Sequence, residues 1–201
     1  MKIIISLKIR ILKLLKKNRG YFSIGKIKMF LDYLDPIDRE IIEYQKFEDQ
    51  EINFLKKNIK ENDINYFVDV GSNCGYYSVT LAYYNKNLKI KAFEPNKEAY
   101  NKFSKTLDIN PIVAKKIELN NFGLSNCSGE YEMISLEKFG YLQTGGSAII
   151  KSDEKKSIDT KVIKANFKKG DEVINFVNKN LCIKIDVEGH EYQVLEGLEN
   201  I

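Results

Sequence analysis

The chain has one histidine, three cysteines and no apolar run long enough to cross a membrane. With His190 alone, neither a two-histidine metal site nor an H-E-x-x-H motif can be built, and no metal is expected. Cys74, Cys127 and Cys182 are odd in number and lack metal-type spacing, which argues against a disulfide framework and for a reducing, cytoplasmic setting. Lysines interrupt each apolar stretch of the N-terminus and no small-residue cleavage site follows, so a signal peptide is not indicated. No G-x-G-x-x-G follows a strand pattern, which argues against a dinucleotide site. Internal repeats and interdomain linkers are absent. Basic residues cluster at one end, from Lys2 to Lys28 ahead of the first acid, Asp32, without a groove or aromatic platform; nucleic-acid binding is therefore not expected.

What remains is a composition able to form a core: 43% hydrophobic and 30% charged residues over 201 positions indicate a soluble globular domain rather than a disordered chain. Residues 1–34 read as a basic amphipathic segment and 35–201 as the main domain. Wound as a helix, residues 1–20 place Ile4, Leu7, Ile11 and Leu15 on one face and Lys2, Arg10, Lys13 and Lys17 on the other. Such a helix either lies on an anionic membrane as a peripheral contact or covers the core with its lysines in water. Asp35-Pro36 then reads as an N-cap and first helical position, and apolar spacing carries helix to about Lys60.

The most informative stretch is Tyr66 to Ala82. A continuous apolar strand, Tyr66 to Val70, runs into Gly71-Ser72-Asn73-Cys74-Gly75, and helical spacing resumes at Tyr76 and Tyr77. Strand, glycine loop and helix N-terminus form a cradle in which backbone N–H groups face a ligand. Asp69 sits in the strand end. A carboxylate there suits a cationic cofactor such as S-adenosylmethionine better than a phosphate, which it would repel; the plain alternative is an ordinary turn with Asp69 as a cap. A second strand, Leu88 to Phe93, ends at Glu94, where such folds accept hydrogen bonds from ribose hydroxyls; the plain alternative is that Glu94 caps the helix that follows. A third, Lys116 to Asn121, leads into a loop whose Asn121, Leu124 and Ser125 would border adenine. Short strands at 130–135, 147–150 and 159–165, with Gly140, Gly145 and Gly146 between them, read as an antiparallel insertion that helps to form an acceptor pocket. Finally Leu181 to Ile185 is a buried strand whose end carries Asp186, Glu188, His190 and Glu191.

VDVGSNCGYYS, FEPNKEAYNKF, NFGLSNCSGE and IKIDVEGHEYQVLEGL, in that order, resemble the FkbM family of S-adenosylmethionine-dependent methyltransferases from about Asp35 to the C-terminus. The resemblance implies an α/β fold of the Rossmann-like class I methyltransferase type, a mostly parallel sheet flanked by helices, and methylation of a hydroxyl on a sugar, glycan or secondary metabolite. It implies that Asp69, Gly71, Asn73 and Gly75 surround the methionine end of the cofactor and Glu94 its ribose, with Ser72, Tyr76 and Tyr77 in the same cradle and Asp186 near the methyl. Sheets of this type usually continue after the strand at 181–185, whereas this chain stops at Ile201. A C-terminally incomplete domain with an open sheet edge is therefore expected, and a non-catalytic cofactor-binding or interaction module is the alternative to an active enzyme. Either Asp186 or His190 could take the acceptor's proton. A divalent ion on Asp186, Glu188 and Glu191 is disfavoured because neighbouring strand residues point to opposite sides.

Overall fold

The computed structural model describes residues 7, 9–11, 14, 18–138, 141–142, 144–149, 160–176 and 179–201. Residues 7, 9–11 and 14 are helical, as the N-terminal spacing suggests, but the expected helix does not reach residue 20: Asn18 is not helical and Arg19 and Gly20 open a strand; the rest of that expected helix, and Gly140, lie outside the described residues.

Two strands follow where the sequence reading had only an amphipathic segment. β1 (Arg19–Ile24) and β2 (Ile27–Asp32) form an antiparallel hairpin turned at Gly25, whose φ of +57° is left-handed. Alternation fixes its buried side: Phe22, Ile24, Ile27, Met29 and Leu31 point inward, while Ser23 and Lys28 face water. Those five side chains belong to the same core as the helices and sheet that follow, so the packing gives no break at residue 34. Arg19 pairs with Asp32 across the hairpin at 2.9 Å and ties the hairpin to the domain through Glu98 at 2.8 Å.

α1 (Pro36–Tyr44) begins at the expected cap, with the Asp35 carboxylate accepting from the Ile37 N–H at 3.1 Å. After α2 (Asp49–Glu61) the chain alternates: β3 (Tyr66–Val70), α3 (Tyr76–Tyr84), β4 (Lys89–Phe93), α4 (Lys97–Asp108), α5 (Pro111–Ala114) and β5 (Ile117–Asn120). β6 (Gly123–Ser125), β7 (Gly129–Lys138), β8 (Tyr141–Leu142), β9 (Ala148–Ile149) and β10 (Thr160–Lys169) form the insertion, and α6 (Gly170–Val173), β11 (Leu181–Ile185) and α7 (Glu191–Glu196) complete the described chain.

The central sheet is parallel, in the order β11-β3-β4-β5, so that the chain leaves β3, β4 and β11 at the same edge of the layer. Its two faces are read directly from β3. Phe67 joins the core under α1 to α4, whereas Val68 and Val70 join a second core with Phe93, Leu124, Val194 and Leu198. A strand covered on both sides needs a continuous apolar run, which is what the sequence supplies. α3, enclosed between sheet and helices, buries every residue from Tyr76 to Ala82. The insertion is a second sheet, β6-β10-β7-β8 with β9 on β7, antiparallel except where β10 meets β6. It stands over the carboxyl ends of the central strands. Among the described residues no helix is long and apolar enough to cross a membrane.

Candidate active site

The carboxyl ends of β3, β4 and β11 open into one cleft, which encloses about 640 Å³ including the solvent at its mouth. Gly71 and Asn73 come from β3, Glu94 and Pro95 from β4, Asp186 to Glu188 from β11, and His190 from the turn into α7. In a doubly wound sheet this is the edge at which loops diverge and ligands bind. The second sheet supplies the roof: Met133, Ile149 and Phe167, with Thr144 to Ser147.

The glycine loop is pinned by backbone hydrogen bonds to its neighbours. Gly71 and Ser72 donate their N–H groups to the Phe93 carbonyl at 3.0 and 3.1 Å, and Asp186 donates to the Val70 carbonyl at 3.1 Å. Gly71 has a φ of +77°, and an added Cβ would lie inside the van der Waals radius of the Asp186 carbonyl oxygen. Glycine is needed here because β3 and β11 approach so closely. Asn73, at φ +47°, donates its N–H to Glu94 Oε2 at 2.7 Å, and Asn96 donates to Oε1 at 2.8 Å. Glu94 is 6% exposed. Burial raises its pKa to about 7, against the two backbone N–H groups and Lys184, which favour its charged form.

Several expected cofactor contacts are placed elsewhere. Asp69 is fully buried: the period of the strand turns it toward α3, where it accepts from Ser78 Oγ at 2.7 Å and pairs with Lys184 at 3.4 Å. It supports the loop from behind and does not line the cleft. Gly75 is also structural, since a Cβ there would strike the Phe103 ring. Tyr76 accepts from the Phe47 N–H at 3.2 Å, and Tyr77 donates to Glu48, so both point into the helical layer; Tyr77 lines a separate groove with Phe54 and Lys184. Ser72 is buried with an Oγ that has no partner among the described residues. Asn121 donates its amide to the Glu94 carbonyl at 2.9 Å and the Pro95 carbonyl at 3.3 Å, fixing the acid's backbone from outside the cleft. Leu124 does line the cleft, and Ser125, completely buried, meets His190 Nε2 at 2.9 Å.

The two candidates for the base differ in access. The Asp186 side chain is 62% exposed and pairs with Lys184 at 3.4 Å, whereas His190 is 9% exposed, held by Ser125 and edge-on to Phe167 and Tyr131. Burial opposes the charge on Lys184, but Asp69 and Asp186 outweigh it and raise its pKa above the ordinary value. Glu191 accepts from the N–H groups of Val187 at 3.3 Å and Gly189 at 3.1 Å, so it caps its own turn. Among the described residues no three His, Cys, Asp or Glu side chains are grouped to hold a metal.

Sequence reasoning missed the residues of the roof and Lys184. A lysine inside an otherwise apolar strand was a usable signal, because a buried ammonium needs paired acids. Thr144, Met133 and Phe167 carry no such mark; only the Gly145-Gly146 pair pointed to a turn nearby.

A family model described as the methyltransferase FkbM domain matches residues 69–201. The chain is 30% identical over 151 residues to the hexuronic acid methyltransferase AglP of Haloferax volcanii, an alignment covering 74% of this chain and 55% of that protein. It thus spans about half the length of the curated relative it matches. Among solved structures it is similar to methyltransferase FkbM from Methylobacillus flagellatus, with 17% identity and a TM-score of 0.45, over 67% of this chain and 29% of that one. It is also similar to P. horikoshii TYW2 in complex with MeSAdo, with 20% identity and a TM-score of 0.40, over 54% and 39% of the two chains.

Proposed function

Since the chain belongs to the FkbM methyltransferase family, we propose that it is an S-adenosylmethionine-dependent O-methyltransferase acting on a hydroxyl of a sugar or glycan. The observation that carries this reading is the charge of the cleft. Its described lining holds three acidic side chains, Glu94, its pKa raised to about 7, Asp186, paired with Lys184 at 3.4 Å, and the exposed Glu188, and no lysine or arginine. That setting complements a ligand bearing ammonium and sulfonium groups and repels the pyrophosphate of a nicotinamide dinucleotide. The residues present fit the cofactor in a second respect. Each Glu94 oxygen accepts one backbone N–H and keeps acceptor capacity for one donor more, as a ribose diol requires.

When bound, S-adenosylmethionine supplies a methyl group on a positively charged sulfur. The protein's part is to hold an acceptor oxygen in line with that carbon and to take its proton. Asp186 is the base this reading favours, because it is the more exposed of the two candidates, with Lys184 fixing its carboxylate; His190, enclosed by Ser125 and two aromatic rings, orients the wall beside it. The apolar roof of Met133, Ile149 and Phe167 suits the less polar face of a sugar ring. The hexuronic acid of the relative is not carried over, because the described lining offers no cation to hold an acceptor carboxylate. The cysteines, none of them in a disulfide, support a cytoplasmic location.

Transfer of labelled methyl from S-adenosylmethionine to a panel of neutral and acidic sugars tests the reading. Methylation of a neutral sugar hydroxyl, lost in Asp186→Asn, is the expected result; the absence of transfer to every hydroxylated acceptor would overturn it.

A further inference from the structure

Lys102 is 1% exposed in the middle of α4, and a buried ammonium is retained only where acids and acceptors surround it. Three groups do so here: Asp38 at 2.6 Å, Asp35 at 3.3 Å and the Thr144 hydroxyl at 2.8 Å. Asp35 also accepts from the Thr144 N–H at 2.9 Å, so this cluster holds both the backbone and the side chain of a residue in the roof. Gly145, next in the chain, lies against Ile37 without room for a Cβ, and Ser147 meets Asn96 Nδ2 at 3.1 Å. The roof turn is thereby fastened to α1 and α4.

The Thr144 hydroxyl has a third neighbour, Oδ1 of the Asn73 side-chain amide, at 2.9 Å. A hydroxyl has one proton and two lone pairs. Lys102 can only donate, and the charged Asp35 carboxylate, 2.7 Å away, is the stronger claimant for the hydroxyl proton. One lone pair is left, and only a donor can use it. The Asn73 amide therefore presents its NH₂ to Thr144, the reverse of the orientation in the structure, where Oδ1 faces the hydroxyl; the hydrogen-bond network decides which way an amide lies. Its carbonyl oxygen is then turned away from Thr144 on a residue that lines the cleft. Asn73 is fixed twice, with its backbone N–H on Glu94 and its side chain on Thr144.

Resting on the cofactor reading above, we infer that Thr144 is a positioning residue for the cofactor site: held by Lys102 and Asp35, it sets the amide of Asn73 so that a carbonyl oxygen serves a cationic ligand. Thr144 acts through Asn73 and touches no reacting atom. Through it, a charge cluster on the helical layer governs the affinity of a loop on the sheet.

The test uses the full chain. Calorimetric titration with S-adenosylmethionine should give a Kd raised about tenfold in Thr144→Val, the loss of one well-placed hydrogen bond, and restored to within about twofold in Thr144→Ser. In the protein without cofactor, nuclear magnetic resonance should find the Asn73 side-chain NH₂ protons slow to exchange in the wild type and fast in Thr144→Val. Unchanged affinity in Thr144→Val overturns the inference and leaves the cofactor reading standing. Rapid exchange at Asn73 in the wild type overturns it without any variant. A wild-type chain that binds no S-adenosylmethionine overturns the cofactor reading and this inference together.

Discussion

The floor and the roof of the cleft are built differently. The floor is made of strand ends locked by pairing: β3 is bonded along its length to β4 and β11, and its loop is pinned to the Phe93 carbonyl. Its contribution is backbone and carboxylate, fixed to within a hydrogen bond. The roof is a separate sheet whose β9 has only two residues, and it presents Met133, Ile149 and Phe167, side chains that exclude water and set shape. The difference is one of task. A constant cofactor calls for groups held before binding, while an acceptor is chosen by the outline of apolar walls, where a methylene more or less shifts selectivity by only ~1–3 kcal/mol. The floor, with Thr144 as the roof residue that serves it, should therefore govern cofactor affinity, and the apolar wall of Met133, Ile149 and Phe167 acceptor KM.

The largest effect is expected at the seam of the floor. In Gly71→Ala the new Cβ meets the Asp186 carbonyl in a left-handed residue, so β3 and β11 must part, and about 3 kcal/mol or more of stability should be lost with cofactor binding. Urea denaturation with a parallel titration checks this; a stable, binding variant would mean that the two strand ends are not held as described. Next comes chemistry. Asp186→Asn should lower kcat by about a hundredfold and leave the cofactor Kd within about threefold, whereas His190→Gln should cost about tenfold or less. The reverse order would move the base to His190.

Glu94 gives a pH test of the floor. Its folded pKa of about 7 lies above the ordinary value of 4.5, so between those values the folded protein holds a proton that the unfolded chain has released. Stability should then fall as pH rises through that window, by at most about 3 kcal/mol, and level off above it. Asn73, Asn96 and Lys184 oppose the shift and Asp69 adds to it. In Glu94→Gln the slope should vanish and cofactor affinity should drop more than about tenfold, because an NH₂ would face a backbone donor. The smallest effect belongs to the roof: Phe167→Ala should raise acceptor KM about tenfold while the cofactor Kd changes less than about threefold. An equal effect on both would erase the distinction between the layers.

The floor was legible in the sequence because its physics is local. A doubly covered strand needs an apolar run, its loop needs glycine, and the next strand ends in an acid, so Tyr66 to Gly71 and Phe93 to Glu94 could be read in order. What could not be read is where each side chain turns after the strand ends. Asp69 looked like a ligand for a cation but is rotated inward onto Ser78 and Lys184, and Gly75 looked like a close approach to ligand but makes room for Phe103. Those outcomes depend on contacts with α3, α4 and β11, far away in the chain. The β1–β2 hairpin was missed for another reason: Phe22, Ile24, Ile27, Met29 and Leu31 alternate plainly, but residues 1–34 were read together as one basic amphipathic segment. Asn73 was singled out, whereas its partner Thr144 is one hydroxyl among many until the fold brings it beside Lys102.

The central claim is that the acidic floor holds S-adenosylmethionine. It is tested most directly by calorimetric titration of the purified chain with S-adenosylmethionine and, separately, with NADH. Saturable binding of S-adenosylmethionine at one site, weakened in Glu94→Gln, with no binding of NADH, is the expected result. A folded chain that binds NADH, or that binds S-adenosylmethionine equally well without the Glu94 carboxylate, would contradict it.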